Sequence, residues 1–530
     1  MRYLLITIIA VFLFYKQASS QALRPANKSK IYYTQIMFEY PSIDGKAYYK
    51  IEVSDEGANA FSNKKIYHAI DSSSAHLASK IFGFGKTYYW RYLAYNKNNK
   101  VIFTSPVFSF STLSNYLVNP KMFKTNIVWH KPEECLPGII SGDNNFLYTR
   151  NGEPVFFLIG VNTLCRDFKI NYDGNITILD TTELFETNLN NQKLWRSPHI
   201  KTPDYEIKMY HHGVIKLPNG NFLCMAKKFN KTAPSSTPIN AIIELNYKNE
   251  LVWSWFEDDY YPNDSNLFKG SHLNSIFVDK ENFLYTSNRD LNSIIKIDRS
   301  SGKIVYAIGY DMGNGIPFVS NNYFAGQHHV TKLENGNLLM LNNGLGAAPI
   351  LNSSILEIEE PDGQEALNPV WNYEFNFEPP VFNHVARMGG VTKLPNGNYL
   401  VGMGVFNKIF EVNQSQELVW ESNYTRKDTI ANQFNPVPVY RAHYMSSLYP
   451  SYFTCEINKA TKTISITNEG TEADTYQIEV FNSKKQKKKS VQTEIKRESA
   501  AQIQIPELST ADSIYITPLS NAKRKRSLLF

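Results

Sequence analysis

The stretch His212-Gly-Val-Ile-Lys-Leu-Pro-Asn-Gly-Asn-Phe-Leu223 decides the fold, because the chain writes it again. His328-His-Val-Thr-Lys-Leu-Glu-Asn-Gly-Asn-Leu-Leu339 and Gly389-Gly-Val-Thr-Lys-Leu-Pro-Asn-Gly-Asn-Tyr-Leu400 follow the same pattern. A looser copy, with one extra residue, runs from His272 to Leu284. Each copy reads as strand, Asn-Gly-type turn, strand, the strongest short-range hairpin signal. A second hairpin follows each: Ile242-Ile-Glu-Leu245 to Leu251-Val-Trp253, Ile294-Ile-Lys-Ile297 to Ile304-Val-Tyr306, Ile355-Leu-Glu-Ile358 to Pro369-Val-Trp371, and Ile409-Phe-Glu-Val412 to Leu418-Val-Trp420. It ends in an aromatic residue able to cover the neighbouring unit. Two hairpins make four strands, which is one propeller blade.

The first residues of the four copies lie 60, 56 and 61 residues apart. Residues 120–450 therefore hold about six such units, with weaker ones at Gly138–Leu158 and Val161–Leu179. The expected fold is all-β: a six-bladed β-propeller at 120–450, a small N-terminal β-sandwich at 28–113 of fibronectin-III-like pattern, and a small C-terminal β module at 451–530 with a basic tail. Aromatic residues at 14% of the 530, with 33 Tyr and 32 Phe, fit a strand-rich chain.

Net charge is +6, from 55 basic and 49 acidic residues. Over this length that does not suggest a nucleic-acid partner. The basic runs Lys484–Lys489 and Lys523–Arg526 read as a solvated hairpin tip and a tail. Residues 1–20 read as a signal peptide: Arg2, an apolar run from Leu4 to Tyr15, then Ala18, Ser19 and Ser20. The expected location is periplasmic or secreted, with no membrane span after cleavage. Cys135, Cys165, Cys224 and Cys455 are far apart, and their pairing is left open.

His212, His272 and His328 each stand just before the first hairpin of a unit, and the fourth copy has Gly389 there. The blade fold thus does not demand histidine, whereas a site on the propeller axis would explain three. Arg289 ends the strand that pairs with the His272 strand, and a guanidinium beside imidazoles suits a tetrahedral oxyanion. Its structural alternative is a pair with Asp290. Asn274, two residues from His272, shares its face and is a candidate substrate-binding residue. Three His could instead hold zinc or copper. Arg289, and the lack of Asp or Glu at the equivalent positions, count against a metal, and no cofactor is expected.

These residues resemble the bacterial aryl sulfotransferase family that needs no nucleotide sulfate donor. The resemblance rests on the His212 repeat, His272-Leu-Asn274-Ser with Ser287-Asn-Arg289, Phe324-Ala-Gly-Gln327-His328, Leu341-Asn-Asn-Gly344 and Tyr440-Arg-Ala442, and covers about 28–450. It implies a six-bladed propeller and a ping-pong reaction through a sulfohistidine. A phenolic sulfate ester is the donor and a phenol the acceptor. It maps the nucleophile to His328 and the sulfuryl-holding groups to His212, His272 and Arg289, with Asn274 beside them. Some members carry a disulfide near the nucleophile, yet this chain has no Cys between 225 and 454. His329 stands where members often have an acidic residue. A second reading is a non-catalytic propeller that binds a sulfated or anionic ligand. A third is a metal-dependent hydrolase or lyase. A homodimer, and which His serves as acid and base, are left open.

Overall fold

The computed structural model describes residues 23–113 and 123–530, apart from 44, 58–60, 62–65, 72–73, 143–145, 160–164, 233–236, 261–270, 314, 346–351, 363–365, 429, 471–472, 497–498 and 521–524. The expected signal segment at 1–20 lies outside the described residues, as do Lys523 and Arg524 of the terminal basic run. Strand is the dominant element, and the only helices among the described residues are single 3-10 turns. The chain divides into two units, one of 117–171 and 175–446, the other of 1–116, 172–174 and 447–530.

Among the described residues the larger unit holds six sheets in chain order, each built mainly by pairing consecutive strands. The first comprises Ile139–Ser141, Phe146–Thr149 and Pro154–Phe157, completed by His443–Met445 from the far end of the unit. The second spans Cys165–Ile170 to Lys193–Arg196, the third Ile200–Lys201 to Leu251–Phe256, and the fourth Leu273–Val278 to Phe318–Val319. The fifth runs from His328–Lys332 to Pro369–Glu374, and the sixth from Gly390–Lys393 to Gln433–Pro436. Phe123–His130 adds to the sixth by pairing with Leu418–Asp428.

Alternation along these strands buries one row of apolar side chains against each neighbouring sheet. Leu184 and Trp195 of the second pack with Ile207, Val214 and Phe222 of the third. Met225 and Trp255 of the third pack with Leu273 and Ile295 of the fourth. Tyr285 and Ile308 of the fourth meet Val330 and Met340 of the fifth, and Leu341 and Ile355 of the fifth meet Val391 and Phe410 of the sixth. Phe146 of the first lies 5.6 Å from Tyr424 of the sixth, and Phe156 lies 6.3 Å from Phe168 of the second. The aromatic residue ending each unit does reach its neighbour. Trp253 Nε1 donates to Arg299 O at 3.0 Å, and Trp420 Nε1 to Arg150 O at 3.0 Å. Trp371 stacks on Tyr399 with ring centres 4.2 Å apart.

The register of the looser repeat copy differs from the sequence expectation. Lys216 pairs with Phe222, Val278 with Leu284, Lys332 with Leu338 and Lys393 with Tyr399, so the four hairpin turns are equally long. The looser copy has no extra turn residue; Asn282, at φ +68°, takes the place that Gly220 fills at φ +86°. Counting four back from each pair gives His212, Asn274, His328 and Gly389. Asn274, not His272, is the register mate of the two histidines, and His272 stands two residues upstream.

In the smaller unit, residues 23–112 form a six-stranded sheet and a two-stranded one around Trp90, Phe38, Tyr40 and Phe110. Residues 453–530 add two further sheets with their own core of Ile464, Ile478, Val480 and Ile516. These two segments, read separately in the sequence, share one unit. Arg526 Nη1 reaches Glu39 at 2.6 Å, Tyr452 donates to the same carboxylate, and Leu448 N donates to Gln35 Oε1 at 2.7 Å.

Candidate active site

The first strand of the fifth sheet opens on His328, which is 3% exposed. Its Nδ1 faces two acceptors, Gly326 O at 3.0 Å and Asn343 Oδ1 at 2.8 Å. The amide of Asn343 cannot be turned the other way, because its Nδ2 donates to Val385 O at 2.8 Å and Met388 O at 3.0 Å. The imidazole proton therefore belongs on Nδ1 and the lone pair on Nε2. Met388 N donates to that Nε2 at 3.2 Å. Burial, with Arg289 and Arg441 adding to it, pushes the ring down to about 3 against the pull of Asn343 and Gly326 O, so it is neutral at ordinary pH.

The loop before His328 is fastened to the fourth sheet. Gln327 Nε2 donates to Ser293 O at 3.0 Å, and Gln327 O accepts Asn274 Nδ2 at 2.7 Å. Asn274 is fully buried, and its own backbone O accepts Arg441 Nη2 at 2.6 Å. One amide N–H of Asn274 is thus used to position the His328 loop rather than to meet a ligand. Gln327, Asn274 and Arg441 form the connection between His328 and the other candidates.

His212 and His272 lie together, with ring centres 5.5 Å apart at 73°. Both backbones are left-handed, φ +61° and +49°; His212 lies within an irregular stretch of pairing and His272 just before one. His211 Nε2 meets Ala226 O at 3.0 Å and must donate there, so its Nδ1 accepts from His212 Nδ1 at 2.7 Å. The Nε2 of His212 is left with a lone pair. Burial, then the neighbouring His211 and His272, hold His212 well below its ordinary value. His272 differs: its side chain is 40% exposed, and Nδ1 lies 3.3 Å from Asp290 Oδ2. Burial lowers its pKa, and Asp290 opposes that shift.

Arg289 follows the strand Phe283–Asn288, and its backbone N donates to His272 O at 3.1 Å. Its Nη1 pairs with Asp290 Oδ1 at 3.0 Å, the pairing weighed from the sequence. The same carboxylate thereby bridges Arg289 and His272, while Arg289 Nε is buried without a hydrogen-bond partner.

Arg441 and Asn343 stand inside Tyr440-Arg-Ala442 and Leu341-Asn-Asn-Gly344, and the sequence alone assigns neither a role. Arg441 is 5% exposed, with its guanidinium 5.0 Å from the centre of the Tyr440 ring. Gly213 makes room for it, since a Cβ there would come within 3.0 Å of Arg441 Nη1. Arg441 acts on both His212 and His328, and Arg289 on both His272 and His328. Among the described residues no group of three or more His, Cys, Asp or Glu is placed to hold a metal ion. No disulfide joins Cys135, Cys165, Cys224 and Cys455 to one another.

An all-β protein with buried imidazoles and two guanidiniums that act on them can hold a small oxyanion beside a nitrogen nucleophile. Residues 141–353 match the family model described as Arylsulfotransferase (ASST), and this supports the aryl sulfotransferase family for the chain. No curated protein matches it. Among solved structures, a protein of unknown function from Bacteroides caccae is 12% identical, over 59% of this chain and 99% of that one, with a TM-score of 0.37. An inactive virginiamycin B lyase from Staphylococcus aureus with quinupristin is 13% identical over 66% and 96%, TM-score 0.33. An auxiliary nutrient binding protein from Bacteroides ovatus is 9% identical over 85% and 95%, TM-score 0.30. The family match supports an aryl sulfotransferase activity and implies an aryl sulfate donor and a phenol acceptor. Among the described residues, no helix is long and apolar enough to cross a membrane.

Proposed function

We propose that this chain is an exported, nucleotide-independent aryl sulfotransferase. It is built as a six-bladed propeller and works by a ping-pong exchange through a sulfohistidine at His328. The observation that carries the reading is the pair of acceptors on His328 Nδ1, which leaves Nε2 as the nucleophilic nitrogen of a neutral ring. In the first half-reaction the Nε2 lone pair forms an N–S bond as the S–O bond to the aryl oxygen breaks. The phenolate leaves with the electron pair and takes a proton. The Nδ1 proton stays between Gly326 O and Asn343 Oδ1, which stabilise the positive charge the sulfated ring acquires. The Met388 N–H gives up Nε2 to the incoming sulfur. In the second half-reaction a phenol oxygen attacks sulfur while its proton passes to His272, the N–S bond breaks, and Nε2 recovers its lone pair.

The transferred group is planar and carries charge on three equatorial oxygens at the transition state, as in phosphoryl transfer. Arg289 and Arg441 supply the cationic donors. His272 is the acid and base of choice. It is more exposed than His212 or His328, and Asp290 stabilises its protonated form. His212, held neutral, hydrogen-bonds rather than shuttles.

The test is release of chromophore from 4-nitrophenyl sulfate with and without added phenol. Acceptor-dependent release, lost in His328→Ala with the circular dichroism spectrum kept, is the expected result. Release indifferent to phenol would indicate hydrolysis. No release at all would leave a binding module, and full activity in His328→Ala would remove His328 as nucleophile.

A further inference from the structure

Beside the imidazole cluster stands an ammonium group that the reaction above does not use. Lys227 shares the strand Phe222–Asn230 with Met225, two residues away and on the face that packs against the fourth sheet. Its Nζ donates to Asn240 Oδ1 at 2.5 Å. Asn240 cannot flip, because its Nδ2 donates to Glu257 Oε2 at 2.9 Å and to Ser271 Oγ at 2.7 Å. Ser271 directly precedes His272, and Lys227 is among the charges acting on both His211 and His272. The chain Lys227–Asn240–Ser271 thus ends at the site.

Several other lysines in these sheets have a carboxylate in contact. Lys228 has Asp258 at 2.6 Å, Lys332 has Glu360 at 2.9 Å, Lys393 has Glu357 at 3.0 Å, and Lys216 has Glu186. Lys227 has none among the described residues; its one partner is a neutral amide. The carboxyl that acts on it, Glu257, is hydrogen-bonded to Ser271 and Asn240. Burial pushes Glu257 up to about 7, which weakens it further as a counter-ion. Burial also lowers the pKa of Lys227, the sign of an ammonium short of compensation.

We propose that Lys227 receives a second anionic group on the aromatic substrate, so that the preferred donors are aryl sulfates bearing a carboxylate or a further sulfate. This rests on the anion-transfer reading of the His328 site. One group sits between Arg289 and Arg441, and the other supplies the charge that Lys227 lacks. A charge-assisted hydrogen bond at a half-buried ammonium is strong enough to set selectivity.

Two measurements test it. The first compares kcat/KM for phenyl sulfate with 3- and 4-carboxyphenyl sulfate, and with the matching disulfates. Wild type should favour at least one dianionic isomer by about tenfold or more. In Lys227→Gln and Lys227→Met that ratio should fall towards one, and in Lys227→Arg it should survive in part. The second uses calorimetry with 3- and 4-sulfobenzoate against benzenesulfonate, which needs no turnover. If the protein transfers nothing yet binds the dianions with a Lys227-dependent preference, the transferase reading fails and this one stands. A wild-type ratio near one for every isomer overturns it. So does a preference that Lys227→Gln leaves unchanged, or an equal loss on both substrates. Which dianion leads separates a carboxylate from a second sulfate.

Discussion

What makes His328 a nucleophile is its other nitrogen. Asn343 is the group that can be removed without touching the reacting atom. In Asn343→Leu the ring keeps only Gly326 O as acceptor on Nδ1. The tautomer with Nδ1–H is then less enforced and the charge on the sulfated ring less stabilised. A hydrogen bond to a group that becomes charged is worth about 1.5–3 kcal/mol, so kcat should fall roughly 10- to 100-fold. KM should move less, since the donor anion is held elsewhere. Stopped-flow release of 4-nitrophenolate checks this, and an unchanged burst rate would refute it. At this scale the sequence was partly legible. His212 and His328 were visible because the repeat sets them at one position that the fourth copy gives to Gly389, whereas Asn274 was visible only as a neighbour of His272. Asn343 and Arg441 lie on segments where nothing repeats, and their hydrogen bonds join distant parts of the chain. No spacing could have assigned them roles.

At the scale of the element, the recurrent hairpin does more than turn the chain. Its Asn side chains are hydrogen-bonded to a buried glutamate in the strand that follows the hairpin in the same sheet. Asn221 Nδ2 meets Glu244 at 2.6 Å, Asn337 Nδ2 meets Glu357 at 2.7 Å, and Asn398 Nδ2 meets Glu411 at 2.6 Å. A cation from the following sheet then takes the same carboxylate: Arg299 for Glu244, Lys393 for Glu357 and Arg150 for Glu411. The motif pair Asn-Gly-Asn and Ile-x-Glu-x is therefore one joint between sheets. The repeat was legible in the sequence, but this joint was not, since it depends on which sheet lies next. The displaced register of His272 was hidden for a similar reason. A bulge adds an unpaired residue without a signature of its own. The joint predicts a non-additive result. Arg150 and Glu411, 2.5 Å apart and both buried, leave an uncompensated charge when one is removed. Glu411→Leu alone should cost about 3–5 kcal/mol, and Arg150→Met with Glu411→Leu clearly less than the two single losses together. Urea unfolding of the three variants measures this, and strict additivity would deny the joint.

For the whole molecule, the site imposes an acid limit on stability. Burial holds His328 and His211 down to about 3, and holds His212 and His329 well below the ordinary value. In the unfolded chain these rings take protons near pH 6.5. Below that pH the unfolded state binds protons that the folded state refuses, so stability is present above about 6.5 and is lost as pH falls towards 3. Each ring contributes a slope of about 1.4 kcal/mol per pH unit in that window. Glu257 works in the opposite direction. Raised to about 7, it keeps its proton in the fold while the unfolded carboxyl has lost it, so its contribution grows as pH falls from 7 towards 4.5. Four rings outweigh one carboxyl, and a net loss of at least about 2 kcal/mol is expected between pH 6.5 and pH 5. Urea midpoints at pH 7, 6 and 5 read it out, and His211→Asn should flatten the curve. A midpoint that stays level or rises on acidification would mean that the imidazoles accept protons within the fold. Neutral His328 could then no longer be the resting nucleophile.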